Sequence, residues 1–272
     1  MTARTLTPFD PDVVRSWTLG EGRRGVLLLH GFAGTPPELR RLGEHLAAHG
    51  YRCRGAALAG HGTTPEALEA TDRRDWIASA QAELDALARD SDEVMVAGQS
   101  MGGTIALHLA ATDLRVAAVA TLAAPVWLSG LASRAVPVAR RLMRWHRAGD
   151  EVDLYDLAAI DELYSHGRRP MKSIHEFVRL LRDVRDELAA IRAPVLVLHG
   201  GRDRTIDPAN AAEIERRLVC SREVCRRSFP RSGHGMSVDV DHDEINASVL
   251  EWFARHSLPV GAAGTAAASA AG

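Results

Sequence analysis

The sequence predicts an α/β architecture: a mainly parallel sheet with helices on both faces and a small helical insertion. Three observations carry this expectation. Short apolar runs alternate with longer segments of helical period. One of these runs leads directly through Gly98-Gln99-Ser100-Met101-Gly102 into a helix. Between the strands predicted at 116–125 and 193–201 lies a stretch far too long for a plain connection.

The first clear strand is GVLLLHG, residues 25–31. Thr35 then offers an N-cap, Pro36 suits the first helical position, Leu39, Leu42 and Leu46 share one face, and Gly50 closes the helix. YRCRGAAL, residues 51–58, reads as the next strand, followed by the loop GHGTTP and a helix with Trp76, Ala80, Leu84 and Leu87 on one side. EVMVAG, residues 93–98, is the strand before the serine, and TIALHLAA the helix after it. VAAVATLAAP (116–125) and APVLVLHGG (193–201) are further strands. Between them, helical spacing at 129–146 and at 173–191, the latter with Ile174, Phe177, Leu180, Leu181, Val184 and Leu188, predicts a helical cap over residues 126–192. EVCRRSFP (223–230) is the last strand, and Asp241 caps a closing helix that buries Ile245, Val249, Trp252 and Phe253. The core therefore falls in two parts, 1–125 and 193–257, and the Ala- and Gly-rich tail from 258 to 272 is expected to be disordered.

Composition excludes several function classes. Apolar residues make up 46% and charged residues 25% of 272 positions, enough to bury a sizeable core. With 33 basic against 35 acidic side chains and no basic run, nucleic-acid binding has no support. No apolar stretch is long enough for a membrane span, and the N-terminus lacks the apolar core of a secretory signal. Cys53, Cys220 and Cys225 are odd in number and lack metal spacing, which fits a reduced, cytoplasmic protein. No compact His cluster points to a metal, and no cofactor motif is found.

The chemistry centres on Ser100. In a G-x-S-x-G turn between strand and helix, the small flanking residues let a strained backbone lift the hydroxyl above the sheet, and the helix N-terminus favours an oxyanion there. A serine needs a base, and this topology orders it after an acid. Asp203 follows the strand 193–201, and His234 follows the strand 223–230 in RSGHGMS, so both lie beyond strand C-termini on the edge that carries Ser100. Asp207 is the rival acid, but it precedes Pro208 and reads as a cap. His30 and His61 adjoin glycines in early loops and read as structural. The backbone N–H groups of Met101 and Phe32 occupy the positions of an oxyanion hole.

LLLHGFAGTP, GYRCRGAALAGHG, VAGQSMGGTIAL, LVLHGGRDRTIDP and SGHGMSVD together resemble the bacterial carboxylesterase and monoacylglycerol lipase group of the α/β-hydrolase superfamily, over about residues 22–256. The resemblance implies the α/β-hydrolase fold, a Ser100–Asp203–His234 triad, Phe32 and Met101 as oxyanion donors, and a small-molecule ester of short to medium acyl chain, or a monoacylglycerol, as substrate. Trp127, Tyr155, Tyr164 and Phe177 are candidate lining residues of the cap, or the aromatics that hold it together. The same triad also serves thioesterases, acyltransferases and C–C hydrolases, and a catalytically silent binding protein is a third reading.

Overall fold

The computed structural model describes residues 12–147, 153–164 and 167–258. Strands β1 (Trp17–Leu19), β2 (Arg24–Leu29), β3 (Tyr51–Ala56), β4 (Glu93–Gln99), β5 (Val116–Leu122), β8 (Val195–Gly200) and β9 (Val224–Phe229) form one sheet in the order β1-β3-β2-β4-β5-β8-β9. All pairings are parallel except β1 with β3. A two-stranded antiparallel ribbon, β6 (Trp145–Arg147) with β7 (Arg168–Pro170), stands apart from it.

The central strands are apolar throughout because both of their faces are covered. Alternate residues divide between two cores: Leu27, Leu29, Val119, Val195 and Val197 face one, while Val26, Leu28, Ala120, Leu196 and Leu198 face the other. Helices α3 (Arg73–Arg89), α4 (Met101–Thr112) and α6 (Met171–Glu187) cover the first through Trp76, Leu84, Ile105, Leu109, Leu180 and Val184. Helices α1 (Arg40–Ala48) and α8 (His242–His256) cover the second through Leu42, Leu46, Val249 and Phe253. The shorter helices α2 (Pro65–Ala70) and α7 (Ala209–Arg217) follow β3 and β8.

The insertion departs from its predicted helices. The first, α5 (Leu131–Leu142), stops short, and the sequence predicted to continue it to 146 instead enters β6, where the Trp145 ring sits 4.7 Å from the Arg144 guanidinium and 4.5 Å from that of Arg168. Cation–π contacts and ribbon pairing give these residues a partner that the helical period alone does not reveal. The second helix, α6, begins at Met171, and its stripe Phe177, Leu180, Leu181, Val184 lies within the same core as α4, with Ile174 only half-buried. Glu176 on its buried side pairs with Arg73 of α3 at 2.9 Å.

Thr35 stands at the N-cap as predicted, with Pro36 first in the turn that follows, and Glu38 Oε1 accepts the Thr35 N–H at 3.3 Å. Asp241 precedes α8 but its carboxylate accepts from Arg231 Nε at 2.6 Å and Ser232 Oγ at 2.9 Å rather than capping the helix. The strand β1 went unread because three residues carry no usable period. The tail read as disordered lies outside the described residues from 259 onward. Among the described residues no helix is long and apolar enough to cross a membrane.

Candidate active site

Ser100 sits between β4 and α4 with φ 54° and ψ −120°, a left-handed conformation that costs a non-glycine residue on the order of 1–3 kcal/mol. Its neighbours hold it there. The Ser100 N–H donates to Leu122 O at 2.8 Å on β5, its carbonyl accepts the Thr104 N–H at 3.1 Å, and the Thr104 hydroxyl donates to Pro125 O at 2.7 Å. The flanking glycines have no alternative: a Cβ on Gly102 would lie 1.9 Å from Leu29 O, and one on Gly98 2.2 Å from Gly102 C. The HGF loop after β2 runs alongside, since a Cβ on Gly31 would meet Ser100 Cβ at 3.4 Å.

On the same sheet edge, His234 Nδ1 lies 2.9 Å from Asp203 Oδ2. Burial alone would raise the Asp203 carboxyl, but hydrogen bonds from His199 and His234 outweigh it and hold the group well below the usual carboxylate range. Asp203 is therefore ionised, His234 Nδ1 donates to it, and Nε2 is left as the ring's acceptor. The other carboxylate oxygen, Oδ1, accepts the N–H groups of Thr205 at 2.9 Å and Ile206 at 2.8 Å. The Gln99 side chain donates to the His234 carbonyl, tying the serine turn to the histidine loop. Asp207 takes no part: its Oδ1 accepts the Ala209 N–H at 2.9 Å at the start of α7.

Met101 is the first residue of α4, so its N–H is one of the unpaired donors of that helix. Among the described residues neither it nor the Phe32 N–H donates in the turn and loop backbone bonds, as a pair of oxyanion donors requires. The Phe32 ring stacks on Phe177 of α6 at 5.2 Å and 5°, and lies 5.7 Å from Trp76. Of the candidate lining residues, Phe177 thus meets the HGF loop, whereas Trp127 is half-buried and its backbone N–H donates to Asn210 Oδ1 at 3.1 Å. Tyr155 is exposed, with the Arg202 guanidinium 4.9 Å from its ring, and Tyr164 is half-buried. His30 is buried, which pushes its imidazole down to about 4; neutral, it donates from Nδ1 to Gly31 O at 2.9 Å and accepts the Leu58 N–H on Nε2 at 3.2 Å. Cys53 is a buried thiol pushed up to about 12 by burial. No group of three or more His, Cys, Asp and Glu among the described residues could hold a metal.

Sequence reasoning missed two residues here. His199, the last residue but one of β8, places Nε2 3.0 Å from Asp203 Oδ2, so the acid takes donors from two imidazoles. Glu38 props the HGF loop: Oε2 accepts the Gly31 N–H at 3.0 Å, beside the bond to Thr35. Its signal was present as Thr35-x-x-Glu38, the spacing of a capping box. Burial pushes the Glu38 carboxyl up to about 7, against the lowering effect of the Gly31 and Thr35 amides and of His234 and Arg169. Because the folded value exceeds the unfolded one, Glu38's contribution to stability is complete below the usual carboxylate range and is lost as pH rises through about 7. Glu38→Gln, which cannot ionise, is expected to flatten the fall in Tm between about pH 4.5 and 7 measured by calorimetry. An identical pH slope in the two proteins would remove this account of Glu38.

The family model described as serine aminopeptidase, S33, matches residues 20–241. The chain belongs to this family. It is 30% identical over 237 residues to a thermostable monoacylglycerol lipase of a Bacillus species, covering 87% of this chain and 92% of that one. It is 25% identical over 244 residues to a carboxylesterase of Bacillus subtilis, covering 88% and 96% respectively. A solved structure of a metagenome-derived lipolytic enzyme superposes with a TM-score of 0.84 at 24% identity, covering 93% of this chain and all of the other, and shares the α/β-hydrolase fold.

Proposed function

We propose that the protein is a serine hydrolase of carboxylic esters, acting on short to medium acyl chains or monoacylglycerols through an acyl-enzyme. The observation that carries this reading is the 2.9 Å bond from His234 to an ionised Asp203, on the loop that Gln99 ties to a serine held at φ 54°. Ser100 Oγ attacks the ester carbonyl while His234 Nε2 takes its proton; the Phe32 and Met101 N–H groups receive the oxyanion; collapse expels the alcohol, which His234 protonates. Water then repeats the sequence on the acyl-serine and releases the acid. Names of relatives support esters over amides as substrates. Residues 126–192 act as the cap in this reading, and three free cysteines support a reducing, cytoplasmic setting.

The stacked rings of Phe32 and Phe177 beside the oxyanion loop are the apolar surface on which this reading seats one acyl chain. Each methylene buried there gains about 0.8 kcal/mol, so kcat/KM is expected to climb with chain length by roughly fourfold per carbon at most, then fall once the slot is full. A series of p-nitrophenyl esters, monoacylglycerols, acyl thioesters, aminoacyl anilides and triglyceride emulsions tests this. An optimum at short to medium esters or monoacylglycerols is the expected result; preference for anilides, thioesters or triglyceride would overturn the substrate class. Labelling of Ser100 by a fluorophosphonate separates an enzyme from a silent binder.

A further inference from the structure

One residue of the insertion holds together the two loops that carry the acid and the base. The Asp153 backbone carbonyl accepts the N–H of His234 at 3.0 Å and of Gly235 at 3.2 Å. Its Oδ2 accepts the N–H of Arg204 at 2.7 Å, the N–H of Thr205 at 3.0 Å and the Thr205 hydroxyl at 3.1 Å. Contact with the histidine loop leaves no slack, since a Cβ on Gly233 would lie 2.6 Å from Asp153 Oδ1. Asp239 returns the tie from the other side: fully buried, it accepts the Tyr155 N–H at 2.8 Å and the Asp156 N–H at 2.7 Å on Oδ1, and the Gly233 N–H at 2.7 Å on Oδ2.

These bonds fall on the residues that fix the triad. Arg204 and Thr205 directly follow Asp203, and Thr205 N–H is shared between Asp153 Oδ2 and Asp203 Oδ1. On the other loop it is the amide of His234 itself that is held. The ester mechanism has no chemical use for Asp153. We infer that Asp153 is a positioning residue that sets the Asp203 loop against the His234 loop, so that the insertion is part of the machinery that aligns acid and base as well as a cover. The inference rests on the assignment of Asp203 and His234 given above.

Misplacement of a catalytic group by about 1 Å can cost about 100-fold in rate, so the effect should fall on turnover more than on binding. Asp153→Ala in the full chain is expected to lower both kcat for a p-nitrophenyl ester and the rate of fluorophosphonate labelling of Ser100 by about 10- to 100-fold, with KM moving by less than about threefold. Asp153→Asn should recover most of the loss, because its amide oxygen can take the place of Oδ2 and accept the N–H groups of Arg204 and Thr205. A Asp153→Ala protein with a lower Tm but wild-type kcat and labelling below that Tm would overturn the inference. So would Asp153→Asn as slow as Asp153→Ala, since that points to charge and not to the amide bonds. If Asp153→Ala does not fold, Asp239→Asn is the second variant, and it must show the same loss of kcat at nearly constant KM; unchanged kcat there overturns the inference as well. Failure of the ester-hydrolase reading is distinguishable, because it appears as a wild-type protein that neither labels nor turns over any ester.

Discussion

Ser100→Ala is expected to lower kcat for ester hydrolysis by about a million-fold, His234→Ala by a comparable factor, and the double variant by little more than either single one. Nucleophile and base act as a unit, so once one is gone the other has nothing to do; the remaining rate comes from binding and the oxyanion donors. Alanine at position 100 meets the same left-handed backbone as the serine it replaces, and the bonds that hold the turn use the Ser100 main chain and Thr104, so the fold should persist. Steady-state kinetics on a p-nitrophenyl ester, with circular dichroism to verify folding, gives the result. A folded Ser100→Ala that keeps most of its activity would end the mechanism proposed here, and so would losses that multiply in the double variant.

Asp203→Asn is expected to cost about 10⁴-fold in kcat, and Asp207→Asn less than about twofold. The difference follows from which atoms face Asp203. Oδ1 accepts two backbone N–H groups, Thr205 and Ile206, which only an oxygen can satisfy. An asparagine must therefore keep its oxygen on that side and turn its NH₂ toward His234 and His199. His234 Nδ1 would then have to accept, leaving the proton on Nε2, where the base is needed. Asp207 Oδ1 has only the Ala209 N–H to satisfy in an exposed turn, and asparagine caps as well as aspartate does. Matching kcat values from the two purified variants would remove the acid assignment; a larger loss at Asp207 would transfer it.

What the sequence discloses depends on how far apart the cooperating residues lie. The strand-and-helix alternation was legible because burial on both faces of β2, β4 and β8 demands continuous apolar runs, and each run is local. Ser100 was legible from five contiguous residues whose glycines have a steric reason to be there. Asp203 and His234 were legible from their order past successive strands. The β6–β7 ribbon was not, because Trp145 pairs with Pro170 across a gap that no periodicity spans. His199, Asp153 and Asp239 were invisible for a related reason: each meets the Asp203 or His234 loop through hydrogen bonds that only the folded chain makes. Glu38 was the one overlooked residue with a local signal, since its spacing from Thr35 was readable although its duty toward Gly31 was not.

The near-coplanar stack of Phe32 on Phe177 joins the segment that would receive the oxyanion to the helix that would bound the acyl slot. An engineer seeking to accommodate bulkier substrates would choose Phe177 first, because shortening it opens space where an acyl tail would lie. The same change withdraws the surface against which Phe32 rests, and with it part of what keeps the Phe32 backbone in place. Breadth of substrate and speed of turnover are thereby geared to one another at this position, and variants selected for one trait will carry a change in the other unless a second substitution restores support beneath the Phe32 ring.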